Sequence, residues 1–326
     1  MSAVPWKVTK QAVLTICLLL AAGFVSAQDQ TAAAERRSLS ILLTNDDGYD
    51  AVGIQVLRNK LRSSGHRVTV VAPTEERSGS GAALTFTPFR SIQVAENEWK
   101  LDATPATCVW VGLSQFFNEA PDLVISGINE GHNIGASAPF SGTVGATVAA
   151  LYAPIGGSPA AVPAIAFSAD LPDGVDSEKS VSYRDHFEAV ADFAVRTVEA
   201  LVTPEGVALP TGMSLNVNYP GRHAVDIKGT VLTRQGRGLD FHFDFRQTTV
   251  DGASALVAEM VHEPLPVNDR PGSDVQPFLD GYITITPLDG DYSAGTPLDP
   301  HVHLALESLS PANLEEVMVT DPNPQQ

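Results

Sequence analysis

The stretch ILLTNDDG at residues 41–48 joins a short apolar run to an acidic turn sequence. An apolar run of this length, stopped by a turn, is typical of a strand that is buried on both faces. Apolar side chains at Ile54, Leu57 and Leu61 then recur at helical spacing. The stretch therefore predicts a strand over 39–44 followed by a helix, which is the first unit of an α/β domain.

The same alternation of strand and helix continues along the chain. Further apolar runs predict strands at Val68–Ala72, Leu123–Ser126 and Val162–Phe167. Helices are predicted at Thr104–Phe117, Gly142–Tyr152 and His186–Leu201, and Thr104 and Pro105 suit the N-cap and first helical position of the first of these. Continuous apolar strands that alternate with helices favour a mostly parallel sheet covered on both faces. We therefore expect a doubly wound α/β fold, a three-layer sandwich of the Rossmann-like kind, over residues 39–235.

The pattern changes after about residue 205, where helical periodicity becomes weak. Strands are predicted here at Met213–Asn218, Ala224–Leu232, Leu256–Val261 and Tyr282–Thr286. We interpret residues 236–300 as a β-rich arm, a hairpin extension whose apolar faces should bury against another subunit. Residues 301–326 form a C-terminal segment with an end that we expect to be disordered.

The first residues have the three parts of an export signal. Lys7 and Lys10 form a basic region, an apolar stretch follows, and residues 25–27 supply small side chains for cleavage. An uncleaved membrane anchor is the alternative, but the apolar stretch is shorter than the roughly 20 residues that a spanning helix needs. We therefore predict a signal peptide at 1–27, a flexible leader at 28–38, and a periplasmic or secreted protein.

The composition excludes one class of function and leaves others open. The 326 residues include 20 Lys and Arg against 38 Asp and Glu, a formal charge of −18, and 44% of them are hydrophobic. This apolar fraction suits a globular protein, whereas the negative charge excludes a surface built to bind nucleic-acid phosphates. Small phosphorylated molecules remain open, because glycine-rich backbone and a metal ion bind them without net positive charge. Cys108 lies among apolar residues and is interpreted as a buried structural thiol.

Asp46 and Asp47 are the strongest single feature of the sequence. Neighbouring side chains on a straight strand point to opposite faces, so two adjacent carboxylates meet only where the backbone turns, as Gly48 permits. Two like charges this close are unfavourable unless a cation or a proton lies between them. Hard cations such as Mg²⁺, Mn²⁺ and Ca²⁺ prefer oxygen ligands of this kind. A divalent-metal site and a plain acidic turn are both open interpretations.

Two further loops that contain glycine follow predicted strands. Ligands of open α/β sheets lie beyond the carboxyl ends of the strands, where residues 77–81 and 126–143 should join the first loop. Residues 141–143 directly precede a predicted helix, so hydroxyls and backbone N–H groups would face an anion there. Plain capping of that helix by Ser141 is the alternative. His132 is interpreted as a surface residue of the loop and not as a metal ligand.

As an ordered set, six segments resemble the SurE family of metal-dependent 5′/3′-nucleotidases. The segments are ILLTNDDG (41–48), VVAPTEERSG (70–79), TPATCV (104–109), ISGINEGHNIG (125–135), SGTVGAT (141–147) and GYITITPL (281–288). The chain departs from the family pattern at Phe140, where the family often has Tyr, and over Arg237–Val275, which matches poorly.

The resemblance implies a site, a cofactor and an assembly. One divalent metal ion, Mg²⁺ or Mn²⁺ before Ca²⁺, would be held by Asp46, Asp47, Ser78 and Asn129. A phosphate pocket would be lined by Asn133, Ser141, Gly142 and Thr143. The family also implies a homodimer or homotetramer in which the arm exchanges between subunits.

We therefore predict a divalent-metal-dependent phosphomonoesterase that hydrolyses nucleoside monophosphates, with Asp46 and Asp47 as its catalytic carboxylates. One of them would orient a water molecule or act as the base, and direct attack by a carboxylate stays open. No nucleic-acid duplex and, after signal cleavage, no membrane is expected as a partner. An exported nucleotide- or metal-binding protein without turnover is one alternative. A carboxylesterase that uses Ser126 or Ser141 is another, although the sequence has no GxSxG motif.

Overall fold

The computed structural model describes residues 37–155, 158–159, 161–175, 181–264, 269–291 and 293. The predicted signal peptide, nearly all of the leader and the C-terminal segment lie outside these residues. Within them, no helix has the length and apolar character that crossing a membrane requires.

The described residues form fifteen strands and five α-helices, which are numbered here in chain order. The strands are β1 (Ser40–Thr44), β2 (Arg67–Pro73), β3 (Ser91–Ala95), β4 (Glu98–Leu101), β5 (Leu123–Glu130), β6 (Pro154–Ile155), β7 (Ser158–Pro159), β8 (Ala164–Ala169), β9 (Val202–Thr203), β10 (Gly206–Val207), β11 (Ser214–Tyr219), β12 (Thr230–Leu232), β13 (Phe241–Val250), β14 (Ala253–His262) and β15 (Ile283–Leu288). The helices are α1 (Val52–Ser63), α2 (Pro105–Val111), α3 (Gly142–Tyr152), α4 (Val181–Leu201) and α5 (Val275–Leu279).

Nine of these strands form one central sheet in the order β12-β15-β11-β8-β5-β1-β2-β4-β3. The strands from β11 through β8, β5, β1 and β2 to β4 are parallel, and β15 and β3 run antiparallel to their neighbours β11 and β4. Thr44 at the end of β1 pairs with Ser126 of β5, and Ser126 pairs with Ala166 of β8. The loops that follow these three strands therefore leave the same edge of the sheet side by side.

The alternation of side chains along β1 separates two helical layers. Ile41 and Leu43 pack with α1 and α4 in one core, whereas Leu42 between them packs with α2 and α3 in another. All three side chains are fully buried. The sheet thus lies between two helical layers, which confirms the predicted three-layer α/β sandwich. Cys108 is buried in the second core, as predicted.

Several element boundaries differ from the prediction. The strand predicted at Ala224–Leu232 is wrong in its first part, because Ala224–Asp226 form a 3₁₀ turn and the paired strand β12 covers only Thr230–Leu232. Thr104 does cap α2, but the α-helix ends at Val111 and continues as a π-helical turn over Gly112–Phe116. The strands β3 and β4 at one end of the sheet were not predicted, since both are short and β3, although Ile92 and Val94 alternate along it, is exposed throughout.

The hairpin β13–β14 stands apart from the central sheet. Its strands pair over ten residues each and are joined by Asp251 and Gly252, both of which have positive φ, as two-residue hairpin loops require. The predicted arm at 236–300 also included β15, but the structure places β15 in the central sheet beside β11. The part of the arm that extends from the sheet is therefore the hairpin itself, residues 241–262.

Candidate active site

The acidic turn after β1 is buried and held from two sides. Asn45 donates its Nδ2 to the carbonyl oxygen of Gly48 at 2.8 Å, and Gly48 has a φ of +100°, a conformation that favours glycine. The backbone N–H of Arg77 donates to the carbonyl oxygen of Asp46 at 2.7 Å. The turn predicted here is confirmed, and the loop after β2 is fastened to it.

Asp46 lies at the N-terminus of α3. Its side chain is buried, and its Oδ1 accepts a hydrogen bond from the hydroxyl of Thr143. A Cβ on Gly142 would lie 2.8 Å from Oδ2 of Asp46 and 2.6 Å from Oγ of Ser80, so only glycine allows this approach. Burial raises the pKa of Asp46, while the hydrogen bonds from Thr143 oppose that rise.

Asp47 is held beside Asp46 and the backbone of Glu130. Burial and the negative charge of Asp46 raise the pKa of Asp47 well above its ordinary value, and a hydrogen bond from the Glu130 backbone lowers it in part. Its Oδ2 is buried and has no hydrogen-bond partner among the described residues. A buried carboxylate and a partly buried one that repel each other, the second with an unpartnered oxygen, fit a divalent cation.

The other two predicted metal ligands come from the loop after β2 and from the end of β5. Asn129 donates its Nδ2 to the carbonyl oxygens of Glu130 at 3.1 Å and Gly131 at 2.8 Å, which leaves Oδ1 as the atom that could bind a cation. Ser78 lines the same cavity as Asn129 and Asp46. The described residues contain no metal-binding group of three or more His, Cys, Asp or Glu side chains, so a metal here would depend on hydroxyl and amide oxygens as well.

The four residues predicted to bind phosphate divide into two pairs. Asn133 and Ser141 line the cavity, whereas Gly142 and Thr143 do not. Oγ of Ser141 accepts a hydrogen bond from the backbone N–H of Val144 at 3.2 Å, so this residue also caps α3. Thr143 uses its hydroxyl to bind Asp46, and Gly142 leaves the space that this carboxylate occupies. Both residues therefore position Asp46 and do not line the cavity.

Asn133 is held rigidly by the neighbouring strands. Its backbone N–H donates to Oδ1 of Asn218 at 2.7 Å, and its Nδ2 donates to Oγ of Ser168 at 2.8 Å. The side-chain amides of Asn216 and Asn218 both donate to its carbonyl oxygen. The position of this predicted phosphate ligand is thus set by β8 and β11.

The prediction that His132 is a surface residue is wrong. Its Nδ1 lies 2.8 Å from Oδ1 of Asp170 and its Nε2 lies 2.9 Å from Oδ2 of Asp240, with 16% of the side chain exposed. Burial lowers the pKa of His132, but the hydrogen bonds and attraction of the two carboxylates outweigh burial and raise the pKa to about 10. The imidazole is therefore a cation at neutral pH, held between two anions at the cavity wall.

The cavity has a volume of about 820 Å³ and a second wall that the sequence did not reveal. This wall comes from the hairpin and the residues before it: Leu239, Phe241, Phe243, Met260 and His262. Asp170 also lines the cavity, and its place after β8 is the same signal that identified Asp46. The hairpin residues carried no such signal, because their position depends on how the hairpin folds back over the loops.

The fold and the site together define an α/β protein with a pocket at the carboxyl ends of its parallel strands, lined by carboxylate, amide and hydroxyl groups on one side and by apolar hairpin side chains on the other. Residues 41–240 match the family model described as Survival protein SurE. The chain belongs to the SurE family.

Individual relatives agree with this assignment. The chain is 36% identical over 270 residues to the 5′-nucleotidase SurE of Thermosynechococcus vestitus, covering 79% of this chain and 93% of that one. It is 37% identical over 259 residues to the 5′-nucleotidase SurE of Acinetobacter baumannii, covering 78% and 94%. Among solved structures, the SurE protein from Aquifex aeolicus matches with a TM-score of 0.62 and 33% identity, over 83% of this chain and 98% of that one.

Proposed function

We propose that this protein is a divalent-metal-dependent phosphomonoesterase that hydrolyses nucleoside monophosphates to nucleoside and phosphate. The observation that carries the proposal is the convergence of Asp46, Ser78, Asn129, Asn133 and Ser141 on one cavity. The relatives that are 36% and 37% identical are named 5′-nucleotidase. Carboxylate and amide oxygens beside a helix N-terminus suit a substrate that is both anionic and metal-bound.

Asp46, Asp47, Ser78 and Asn129 would hold the metal ion, and their chemistry fits one. All four offer oxygen atoms, which Mg²⁺ and Mn²⁺ prefer, and Ca²⁺ is the alternative. The buried, unpartnered Oδ2 of Asp47 gives the fit its strongest support. When bound, the ion neutralises charge that develops on the phosphoryl group and polarises that group for attack.

The phosphate would lie between α3 and the loop after β5. Since Oγ of Ser141 accepts from the backbone of Val144, its own O–H is left to donate to a phosphate oxygen. Asn133 uses one of its two side-chain N–H groups on Ser168, and the other can donate to the phosphate. The partial positive charge at the start of α3 adds to the attraction.

The two carboxylates have different places and therefore different roles. Asp46 lines the cavity and Asp47 does not. We assign to Asp46 the task of orienting a water molecule or accepting its proton, through Oδ2, because Oδ1 is bound to Thr143. Asp47 lies beside Asp46 without lining the cavity, and we assign to it the role of a metal ligand whose negative charge attracts the cation.

We further propose that the protein is exported and forms a homodimer or homotetramer. The basic, apolar and small-residue parts of residues 1–27 support export. The hairpin supports assembly, because Phe245, Val250 and Leu256 are 67%, 57% and 64% exposed, and large apolar side chains gathered on one element mark interaction surfaces.

Phosphate release from a panel of nucleoside monophosphates tests the proposed activity. The mature protein should release phosphate with Mg²⁺ or Mn²⁺ present and lose that activity when a chelator is added. If the protein binds the nucleotides but releases no phosphate with Mg²⁺, Mn²⁺ or Ca²⁺, it is a nucleotide-binding protein without turnover.

A further inference from the structure

The cavity has two chemically different halves. One half carries the oxygen-rich side chains of the proposed metal and phosphate sites, among them Asp46 and Asn129. The other half is formed by the hairpin and the residues before it, where Leu239, Phe241, Phe243 and Met260 make an apolar wall with Asp240, His242 and His262 beside it. A phosphate and a metal ion bind polar and charged groups and gain nothing from apolar side chains. The apolar wall therefore indicates that a different part of the ligand binds there.

The wall is built from cross-strand pairs of the hairpin. Phe243 of β13 lies directly opposite Met260 of β14, and Phe241 lies opposite His262. Residues two apart share a strand face, and the rings of Phe241 and Phe243 stand 5.7 Å apart, nearly perpendicular to each other. Phe245 continues the same row with its ring 6.4 Å from that of Phe243, but it does not line the cavity.

Folding alone does not account for these side chains. Phe243 is 46% exposed and Met260 is 50% exposed, so neither is used to fill the core of the described fold. Exposed apolar side chains that converge on a concave surface mark a binding site for an apolar group. The cavity volume of about 820 Å³ lies inside the range of about 300–1,000 Å³ that is usual for small-molecule sites.

The wall is also fixed relative to the catalytic loops. The backbone N–H of Ala136 donates to the carbonyl oxygen of Gly238 at 2.8 Å, and a Cβ on Gly135 would come within 2.3 Å of that same oxygen. Asp240, the residue before β13, is bound to His132. The strand that carries Phe241 and Phe243 thus starts from an anchored point, which lowers the entropic cost of holding a ligand.

We propose that Phe241, Phe243 and Met260 form a subsite for a planar aromatic or heteroaromatic ring on the alcohol side of the phosphomonoester. The proposal rests on the proposed function and deepens it: the oxygen-lined half selects the phosphate, and the hairpin wall selects esters whose leaving alcohol carries a ring. Aromatic side chains bind any planar ring by stacking and edge contacts. The wall therefore favours ring-bearing esters over aliphatic ones without reading one particular nucleobase.

Two substrates and two variants test the subsite. Adenosine 5′-monophosphate carries a ring, and glycerol 2-phosphate is an aliphatic ester with the same reacting group. In Phe243→Ala we expect KM for adenosine 5′-monophosphate to rise by roughly tenfold, the size of a lost base–aromatic contact, while kcat/KM for glycerol 2-phosphate stays within about twofold. Phe86→Ala is the control, because it removes a phenylalanine ring that is 91% exposed and lies outside both the hairpin and the cavity, and it should leave both substrates unchanged.

The outcomes separate the subsite from the proposed function. Loss of activity on both esters in Phe243→Ala, or no loss on either, would overturn the subsite while the phosphatase stands. A fall in mass by light scattering in Phe243→Ala, together with loss of both activities, would assign the ring to a subunit contact and also overturn it. If the wild type releases phosphate from neither ester, the proposed function fails. Binding of adenosine alone, measured by calorimetry, then decides, because the subsite requires weaker binding in Phe243→Ala than in Phe86→Ala.

Discussion

Nε2 of His132 lies 2.9 Å from Oδ2 of Asp240, so a residue of the loop after β5 is joined to the residue directly before the hairpin. Nδ1 of the same ring is bound to Asp170 at the end of β8. Three parts of the chain that are far apart in sequence therefore meet at one imidazolium. Because this cluster lines the cavity, the contact that fixes the hairpin also shapes the site.

His132 should make the stability of the fold depend on pH. Its pKa is raised to about 10 in the folded protein, against about 6.5 in an unfolded chain. The stabilisation is therefore full below pH 6.5 and disappears as the pH rises towards 10. We expect His132→Gln to lower the free energy of unfolding by about 3 kcal/mol at pH 6, as the loss of one partner from a buried ion pair does.

Thermal melts of the wild type and His132→Gln between pH 6 and pH 10 measure this effect. The difference between the two proteins should shrink steadily across that range. His223→Gln serves as the control, because His223 is exposed. A difference that does not change with pH would mean that the imidazole is neutral in the folded protein.

Export predicts a defined N-terminus. If residues 1–27 are a cleavable signal, the mature protein from its native host begins at Gln28. N-terminal sequencing or intact mass measures this directly. Detection of Met1 on the abundant soluble form would contradict cleavage.

The parts of the fold that were predictable from the sequence are those that are buried on both faces. Strands β1, β2, β5 and β8 have continuous apolar runs, and each was predicted within a few residues of its bounds. The strand β3 was missed, because its alternation rests on only two apolar residues, Ile92 and Val94, in a five-residue segment that is exposed at the sheet edge. β15 was predicted as a strand, but its antiparallel place beside β11 depends on a long return of the chain that no local pattern encodes.

The candidate site was predictable to the same extent. Asp46 and Ser78 follow the parallel strands β1 and β2, and Asn129 lies near the end of the neighbouring strand β5, so the topology alone brings them to one cavity. The hydrogen bond from Thr143 to Asp46 was harder to predict. A hydroxyl at a helix N-terminus can donate either to a bound anion or to a neighbouring carboxylate, and the sequence does not distinguish the two. The pairing of His132 with Asp240 was inaccessible, since it requires knowing where the hairpin folds back.

The hairpin should contribute to assembly through its exposed apolar side chains. Leu256 is 64% exposed on β14, and a charge in the centre of an apolar contact is strongly unfavourable. We expect Leu256→Glu to lower the mass of the particle in light scattering at micromolar concentration. Val225→Glu is a suitable control, because Val225 is 91% exposed and lies outside the hairpin. A wild type that is already monomeric at this concentration would rule out the exchanged arm.

Two glycines of α3 should respond differently to alanine. At Gly142 the added Cβ would meet Asp46 and Ser80 side-chain atoms, whereas at Gly145 it would lie 2.0 Å from the carbonyl oxygen of Gly81. Neither contact can be kept at these distances, so each variant should cost about 1–3 kcal/mol of stability as an overpacked site. Gly142→Ala should in addition lose roughly 100-fold in kcat, because it displaces Asp46, whereas Gly145→Ala should keep near-normal kcat. Paired melts and phosphate-release assays would contradict this if the two variants lost kcat to the same extent.

Asp47→Asn separates a metal site from a plain acidic turn. The change removes one negative charge and keeps the shape of the side chain, so the affinity for Mg²⁺ or Mn²⁺ should fall. Phosphate release should drop by roughly two or more orders of magnitude, as when a main electrostatic stabiliser is lost. In metal-free buffer the variant should melt at the same temperature as the wild type or higher, because burial and the charge of Asp46 both oppose ionisation of Asp47.

Asp50→Asn provides the control of equal charge for this test. Asp50 lies three residues further along the chain, but its side chain is 75% exposed and paired with Lys100, outside the cavity. It should bind metal and release phosphate as the wild type does. Metal titration and phosphate release on all three proteins measure both effects together. An acidic turn without a metal predicts normal activity for both variants. Near-normal turnover of Asp47→Asn at saturating metal would remove Asp47 from the site, and with it the argument that the two adjacent carboxylates hold a cation.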